Sequence, residues 1–303
     1  CSAPCFPYGV IDPVSRIGQI AKKYNLLFHV DACMGGFMLP FLEDIGYKIP
    51  TFDFRVPGVS SISLDAHKYG YAPKGTSIIL YRNRTHRKKQ FFVHADWPGG
   101  IFASTTFMGT KSGGPIAGCW AIMNHLGKQG YRTIAEEVMN TTRRIKEGIQ
   151  KFNTLQIISD PEMSVLAFTS LNGDIFNIGD ALESKGWHLD RLQFPDALHL
   201  TVTQLNIGRE DAFLDDLSEI LGNETLLRKE FKAMNSSVKF AGRLSSILPG
   251  TLIDKLAKKA GNLISREGRG GDVPQAALYG ISASLKNRKN VKKLVENLLD
   301  GMY

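Results

Sequence analysis

Cysteine is scarce in this chain, and the few present form no recognisable pattern. Cys1, Cys5, Cys33 and Cys119 are the four in 303 residues. None makes a Cys-x-x-Cys pair or a Cys/His spacing suited to zinc, so neither a disulfide framework nor a structural metal site is expected. They read as free thiols of a reducing compartment. Long apolar runs are missing as well. No stretch approaches the roughly 20 apolar residues of a membrane-spanning helix, and the first residues lack the charged-then-apolar pattern of a signal peptide. Internal repeats are absent, which argues against solenoids and propellers. Acidic residues fall short of basic ones, 29 Asp and Glu against 37 Lys and Arg, for a formal net charge of +8. Such a surplus suits an anionic partner: nucleic acid, an anionic membrane face or a phosphorylated substrate. No basic motif interleaved with aromatics is present, so nucleic acid is not an expected partner. Association with a membrane surface stays open.

The remainder is ordinary globular composition, 43% hydrophobic and 22% charged, long enough for a large core and two domains. Residues 12–24 carry a helix signal, with Asp12 as N-cap, Pro13 at the first helical position, and Ile17 and Ile20 on one face. The apolar run 26–32 suits a fully buried strand. Residues 58–66 and 76–83 read as two further strands with a lysine-containing loop between them, and 82–90, "RNRTHRKKQ", as a solvated basic edge. The Gly- and Ser/Thr-rich stretch 97–118 enters a helix expected to continue to about Phe152, interrupted near Gly127 and Gly130. Beyond it, strands at 155–159, 164–170 and 198–205 alternate with helices at 175–185 and 209–221. This pattern predicts an α/β architecture, with a large domain over residues 1–130 and a smaller α+β domain over 131–303. Residues 223–273 read as a peripheral insertion and 288–300 as a last helix. The chain opens as though inside an α/β unit, so it is expected to be the C-terminal part of a longer protein.

Three short stretches carry chemistry. "HVDACMGG" (29–36) places Asp31 near the end of a strand among the apolar Val30, Ala32 and Met34, where a carboxylate needs a cation or a hydrogen-bond donor. "SISLDAHKYGYAPKG" (61–75) ends another strand in Asp65, His67 and Lys68, with Lys74 six positions further on in a turn marked by Gly70, Pro73 and Gly75. An Asp and a Lys at neighbouring strand ends suit one chemistry in particular. The amine forms a Schiff base with a pyridoxal aldehyde, and the carboxylate keeps the pyridine nitrogen protonated so that the ring accepts electrons. "WPGGIFASTTFMGTKSGG" (97–114) is a Gly-rich approach to a helix, a common way to meet a phosphate.

In this order the three stretches resemble the pyridoxal-phosphate enzymes of fold type I, in the group that includes amino-acid decarboxylases and sphingosine-1-phosphate lyases. "HKYGYAPKG", "DWPGG", "KGWHLDRLQFP" and "ALYG" are more similar to the lyases. The resemblance implies the C-terminal half of the large mixed-sheet domain followed by the small α+β domain, with pyridoxal 5'-phosphate as cofactor. By position it implies that Lys68 carries the cofactor and shuttles a proton, that Asp31 pairs with the ring nitrogen beside Ala32, and that His67 donates to the phosphate. Thr110, Ser112 and Gly113 would reach the phosphate of a neighbouring subunit, which implies a homodimer with shared sites.

Lys74, Tyr71 and Phe102 are the implied substrate contacts, with Lys74 or Tyr71 as the base for a C3 hydroxyl. Lys74 is also expected to lower the proton affinity of Lys68 by charge repulsion. The pattern departs from the lyases at Phe102, where they carry Tyr, and at Lys111-Ser112, where "SRPGG"-like sequence is usual. The expected reaction is retro-aldol cleavage of a phosphorylated sphingoid base to a fatty aldehyde and phosphoethanolamine. Decarboxylation of an amino acid and a non-catalytic membrane-binding module are the other readings.

Overall fold

The computed structural model describes residues 1–222 of the chain. The expected insertion at 223–273, the last helix at 288–300 and the "ALYG" motif lie outside the described residues. The chain divides into two compact units. The first comprises Cys1–Gln150, Ile157–Ala167 and Leu200–Glu210; the second comprises Lys151–Gln156, Phe168–His199 and the chain from Asp211.

The first unit begins with helix α1 (Val14–Lys23), which leads to strand β1 (His29–Asp31). Pro13, not Asp12, occupies the cap position of α1. The Asp12 carboxylate is engaged elsewhere, accepting the Ser2 backbone N–H at 2.7 Å. Strand β1 is shorter than its apolar run. Leu26 and Leu27 are exposed, and along the strand His29 and Asp31 face outward while Val30 is buried. A period-2 alternation therefore governs residues that composition alone reads as buried on both faces. Helix α2 (Leu39–Asp44) follows the "GG" of Gly35 and Gly36. A side chain at Gly36 would sit 2.4 Å from Leu64 Cβ, so the turn after Asp31 can lie against the next strand only without one.

Strands β2 (Ser61–Asp65) and β3 (Ser77–Tyr81) complete a three-stranded mixed sheet of order β1-β2-β3. β1 runs parallel to β2, with Asp31 opposite Ser63. β2 runs antiparallel to β3, with Asp65 opposite Ser77. The C-terminal ends of β1 and β2 thus emerge on the same edge, where α/β sheets place their ligands.

The basic run after β3 is not merely a solvated edge. It forms helix α3 (Arg84–Lys88), capped by the Asn83 side chain, and Arg82 donates to the carbonyls of Val59, Phe54 and Val56. A hairpin of β4 (Phe92–His94) and β5 (Phe102–Ser104) follows. Helix α4 (Gly113–Gln150) is kinked at Gly127, whose φ of 56° and ψ of −177° leave the helical region; Gly130 continues the helix. Its buried residues Tyr131, Ala135, Val138, Thr142, Ile145 and Ile149 recur at intervals of three and four, one apolar stripe of an amphipathic helix. Through that stripe α4 meets α2. Phe41 stacks on Tyr131 at 4.9 Å, and Lys128 and Arg132 pair with Asp44. Among the described residues no helix is long and apolar enough to cross a membrane.

A four-stranded sheet follows, made of β6 (Leu155–Ile157), β7 (Val165–Ser170), β8 (Asp190–Leu192) and β9 (Ala197–Thr201), in the order β6-β7-β9-β8. Val165–Phe168 are buried on both faces of β7, as a continuous apolar run predicts. Helices α5 (Ile175–Ser184) and α6 (Glu210–Gly222) accompany it. The strand expected at 198–205 ends at Thr201 and gives way to a 3-10 turn, Gln204–Asn206. Trp187 packs edge-on against Phe213 at 5.3 Å, and Arg191 is buried in a pair with Asp180 and Glu183.

Candidate active site

Asp31 stands at the end of β1 with its carboxylate on the exposed face. The buried setting expected from Val30, Ala32 and Met34 belongs to those neighbours. The strand alternation carries the acid to the other side. Its Oδ1 accepts the Cys33 backbone N–H at 2.9 Å and the Ser63 hydroxyl at 3.0 Å. Burial alone would raise this carboxyl, but the Cys33 and Ser63 hydrogen bonds outweigh it and hold Asp31 below the ordinary carboxylate range.

Ser63 links Asp31 to a longer chain on the same face of the sheet. His29 places Nε2 at 3.1 Å from Ser63 Oγ and Nδ1 at 2.8 Å from Ser61 Oγ. Because the Ser63 hydroxyl proton goes to Asp31, the imidazole must donate to Ser63 through Nε2. Ser61, His29, Ser63 and Asp31 thereby form one line of hydrogen bonds ending on the carboxylate.

Asp65 occupies the matching position at the end of β2. Its Oδ1 accepts the Ser77 hydroxyl at 2.5 Å, and its Oδ2 lies 2.9 Å from Lys68 Nζ and 3.8 Å from His67 Nε2. Burial would raise the Asp65 carboxyl; Ser77, Lys68 and His67 together bring it below its usual value. Lys68 responds in the opposite sense. Burial would lower it, yet the Asp65 carboxylate at 2.9 Å and the nearby Cys33 raise it above an ordinary lysine. This overturns the expectation that Lys74 depresses the Lys68 amine. Lys74 is exposed in the turn, and the Asp65 carboxylate, 2.9 Å from the amine, is the charge that prevails on Lys68. Cys33 sits between the two strand ends. Burial pushes its thiol up, Lys68 opposes the rise, and Asp31 adds to it.

His67 is half-buried, with Nδ1 at 2.9 Å from the Thr76 carbonyl. Since a carbonyl only accepts, Nδ1 carries the proton, and Nε2 donates only when the ring holds a second one. The lysine turn itself is tightly determined. A side chain at Gly70 would meet the Ala66 carbonyl at 2.4 Å. Tyr71 adopts a φ of 57°, a left-handed conformation costing a non-glycine residue about 1–2 kcal/mol. The phenol of Tyr71 is buried beside Tyr69 and Tyr131 in a small cavity also lined by Phe37 and Val138, and among the described residues its hydroxyl makes no hydrogen bond. Burial pushes it up to about 12, the Tyr131 phenol adding to the rise; the Gln204 backbone opposes it from outside hydrogen-bonding geometry. The Tyr131 hydroxyl donates to the Gly70 carbonyl at 2.8 Å, and Gly118 of α4 packs on Pro73, so the long helix buttresses the turn from behind.

The other residues implied by resemblance lie apart from this cluster. Thr110, Ser112 and Gly113 are exposed on the approach to α4, and among the described residues no hydrogen bond joins them to Asp31, His67 or Lys68. Ser112 instead accepts the Gly114 N–H at 3.4 Å. Phe102 belongs to an aromatic group on the hairpin, 6.0 Å from Phe92 and 6.3 Å from Trp97. The hydrogen-bonding partners His29, Ser61, Ser63 and Ser77, and the roles of Asp65 and Cys33, were not assigned from sequence. A signal exists in the two-residue spacing of His29 with Asp31 and of Ser61 with Ser63, which puts all four on one face of paired strands.

Residues 7–171 match the model of the pyridoxal-dependent decarboxylase conserved domain. The chain belongs to that family. It is 46% identical to sphingosine-1-phosphate lyase 1 of Rattus norvegicus over 306 residues, which is 100% of this chain and 47% of that protein. It is 48% identical to the sphingosine-1-phosphate lyase of Arabidopsis thaliana over 218 residues, 72% of this chain and 40% of that one. The chain thus spans less than half the length of these curated relatives. Among solved structures, a sphingosine-1-phosphate lyase of Burkholderia pseudomallei superposes with a TM-score of 0.71 at 39% identity, covering 78% of this chain and 54% of that one. A Lactobacillus brevis glutamate decarboxylase, 23% identical with a TM-score of 0.60, shares the fold.

The fold is therefore fold type I of the pyridoxal-phosphate enzymes, and the cofactor is pyridoxal 5'-phosphate. The donor set fits that group. A primary amine stands at one strand end for the aldehyde. An exposed carboxylate, kept ionised by hydrogen-bond donors, stands at the adjacent end for a protonated ring nitrogen.

Proposed function

We propose that the protein to which this chain belongs is a carbon–carbon lyase that cleaves phosphorylated sphingoid bases to a fatty aldehyde and phosphoethanolamine. One observation carries the reading: Asp31 ends β1 and Lys68 lies in the turn just after the parallel β2, with Cys33 close to both, in a chain 46% identical over its full length to a sphingosine-1-phosphate lyase.

Bound pyridoxal phosphate supplies an electron sink for the pair left when the bond between C2 and C3 breaks. The residues of the chain do the rest. Lys68 is the amine that would hold the cofactor aldehyde, would give it up to the substrate amine, and would then be placed to return a proton to C2. Asp31, ionised and aligned by Ser63 and Cys33, binds the ring N–H. Ala32, buried just beyond it, keeps that wall apolar. His67 donates from Nε2 to the cofactor phosphate when it carries its second proton. Lys74, in the exposed turn, is the chain's contribution toward the substrate phosphate and C3 hydroxyl, with Phe102 lining the approach from the hairpin; the Tyr71 phenol, enclosed beside Tyr69 and Tyr131, supports the turn from behind.

Thr110, Ser112 and Gly113 act on the phosphate in a second subunit. A homodimer is supported by the exposed apolar side chains that flank them in the chain, Trp97, Ile101, Phe107, Met108 and Trp120, since exposed apolar surface marks sites of association. The exposed Arg84, Arg87, Lys88 and Lys89 of the α3 segment offer attachment to an anionic membrane face.

The test uses the full-length protein. Borohydride reduction in the presence of pyridoxal phosphate, followed by digestion, is expected to leave a pyridoxyl group on the peptide containing Lys68. Sphingosine 1-phosphate is expected to yield a long-chain aldehyde. A label without aldehyde would move the assignment to an amino-acid decarboxylase, and no label would remove the pyridoxal chemistry altogether.

A further inference from the structure

Asp65 belongs to no role derived so far, yet it is the most heavily engaged side chain at the strand ends. Its position is set by rigid elements. Asp65 and Ser77 are register partners on β2 and β3, and the Ser77 hydroxyl fixes one carboxylate oxygen at 2.5 Å. The other oxygen therefore points toward the turn, 2.9 Å from the Lys68 ammonium. That turn is closed by the Lys68 backbone N–H bonding to the Asp65 carbonyl at 3.1 Å, so acid and amine are held together by main chain as well as side chain.

We propose that Asp65 is a positioning residue for Lys68: anchored by Ser77, its carboxylate holds the amine protonated and beside Cys33 before the cofactor arrives, and so sets the pH dependence of cofactor capture. This rests on the reading of Lys68 as the cofactor lysine.

The chemistry follows from proton balance. Attack on an aldehyde carbon needs the unprotonated amine, so the ammonium first gives a proton to solvent. The carbonyl oxygen then leaves as water, and the nitrogen of the new C=N bond takes a proton back. Ammonium plus aldehyde becomes protonated Schiff base plus water, with no net proton released. Whatever holds the first proton on nitrogen slows capture at neutral pH. Asp65 does so directly, at 2.9 Å, while Cys33 on the β1 side and Asp31 beyond it also face this group. His67 faces Asp65 from the same turn.

The pair is neither fully solvated nor buried, with side-chain exposures of 18% for Asp65 and 32% for Lys68. An effect of about one pH unit is therefore expected, between a surface ion pair and a shielded one.

The experiment is run on full-length, cofactor-free protein. An amine-acylating reagent is applied across a pH series, and modification of the Lys68 peptide is followed by mass spectrometry. Asp65→Asn is expected to move the midpoint for Lys68 down by about one unit, with roughly tenfold faster labelling at neutral pH. Capture of added pyridoxal phosphate, followed by its absorbance, should accelerate in parallel. Asp65→Glu should restore most of the wild-type midpoint. Ser77→Ala, which leaves the acid in place but unanchored, should give a smaller shift in the same direction; it decides the matter should Asp65→Asn not fold.

Wild-type midpoints in both Asp65→Asn and Ser77→Ala would overturn the proposal and leave Asp65 a structural residue. Borohydride labelling of wild type keeps the two readings apart. Its failure would remove the cofactor role of Lys68, and with it Asp65's part in capture, while the acylation profile would still report whether Asp65 holds the amine.

Discussion

Residues 61–77 and residues 92–112 lie close together in the chain and differ in where their contacts end. In the first stretch most polar groups find their partners inside the fold. Asp65 meets Ser77 and Lys68, His67 meets the Thr76 carbonyl, and Gly70 receives the Tyr131 hydroxyl. In the second the side chains face out. Phe92 and Phe102 touch each other across the hairpin, while Trp97, Ile101, Phe107 and Met108 present their surface to solvent. A hydrogen-bonding group is short-ranged and must find its partner at once. Apolar surface is satisfied by any complementary surface, including that of another chain. The first stretch therefore reads as a preorganised reaction centre and the second as half of an interface.

The contrast can be broken most directly at Lys68. Lys68→Ala in the full-length protein is expected to lower aldehyde production by about a thousand-fold or more and to abolish the pyridoxyl-labelled peptide; a variant retaining substantial activity would separate the strand-end cluster from the chemistry. Next comes the apolar stretch. Trp97→Ser or Phe107→Ser should weaken self-association by about tenfold or more, read by sedimentation across a concentration series. Unfolding of the dissociated chain should shift by no more than about 0.5 kcal/mol. An equal loss of chain stability would show that these side chains pack internally. The buttress behind the lysine turn should respond more modestly. Tyr131→Phe removes the donor to the Gly70 carbonyl and is expected to cost about 1–2 kcal/mol in urea unfolding; no change would mean that water replaces the hydroxyl.

The smallest effect expected is that of pH. Asp31 and Asp65 are both lowered in the folded chain. The stability they confer is present above their unfolded value near 4 and is lost as pH falls through the folded one. Lys68 is raised, so its contribution holds below its unfolded value of about 10.4 and disappears as pH climbs through the folded one. Asp65→Asn should flatten both limbs in a series of urea midpoints. Unchanged limbs would mean that the pair contributes nothing to folding.

How much of this was legible beforehand differs by residue. Lys68, His67 and Asp31 stood out because charged groups at the ends of apolar strands are costly without a purpose. The break in α4 was visible at Gly127, where the helix leaves its conformation at a φ of 56°. The run 26–32 misled because composition cannot tell a strand buried on both faces from one that alternates. Asp12 looked like a cap, but the Ser2 amide claimed its carboxylate. The influence of Lys74 on Lys68 was inferred from closeness in sequence, whereas the charge that prevails is the one that shares the turn's geometry.

The amino-acid sequence by itself determined the order of elements, the amphipathic stripe of α4, the strand ends that bear the reactive groups, and the family resemblance. These are consequences of local pattern and of residues at fixed spacing. Only the tertiary structure decided which groups meet: Cys33 between Asp31 and Lys68, Ser77 behind Asp65, Tyr131 beneath Gly70. Each of those contacts joins separate elements across the sheet or against the long helix. Hydrogen bonds and ion pairs act over a few ångströms, so strand register and helix packing settle them, and neither is written in the spacing of any one motif.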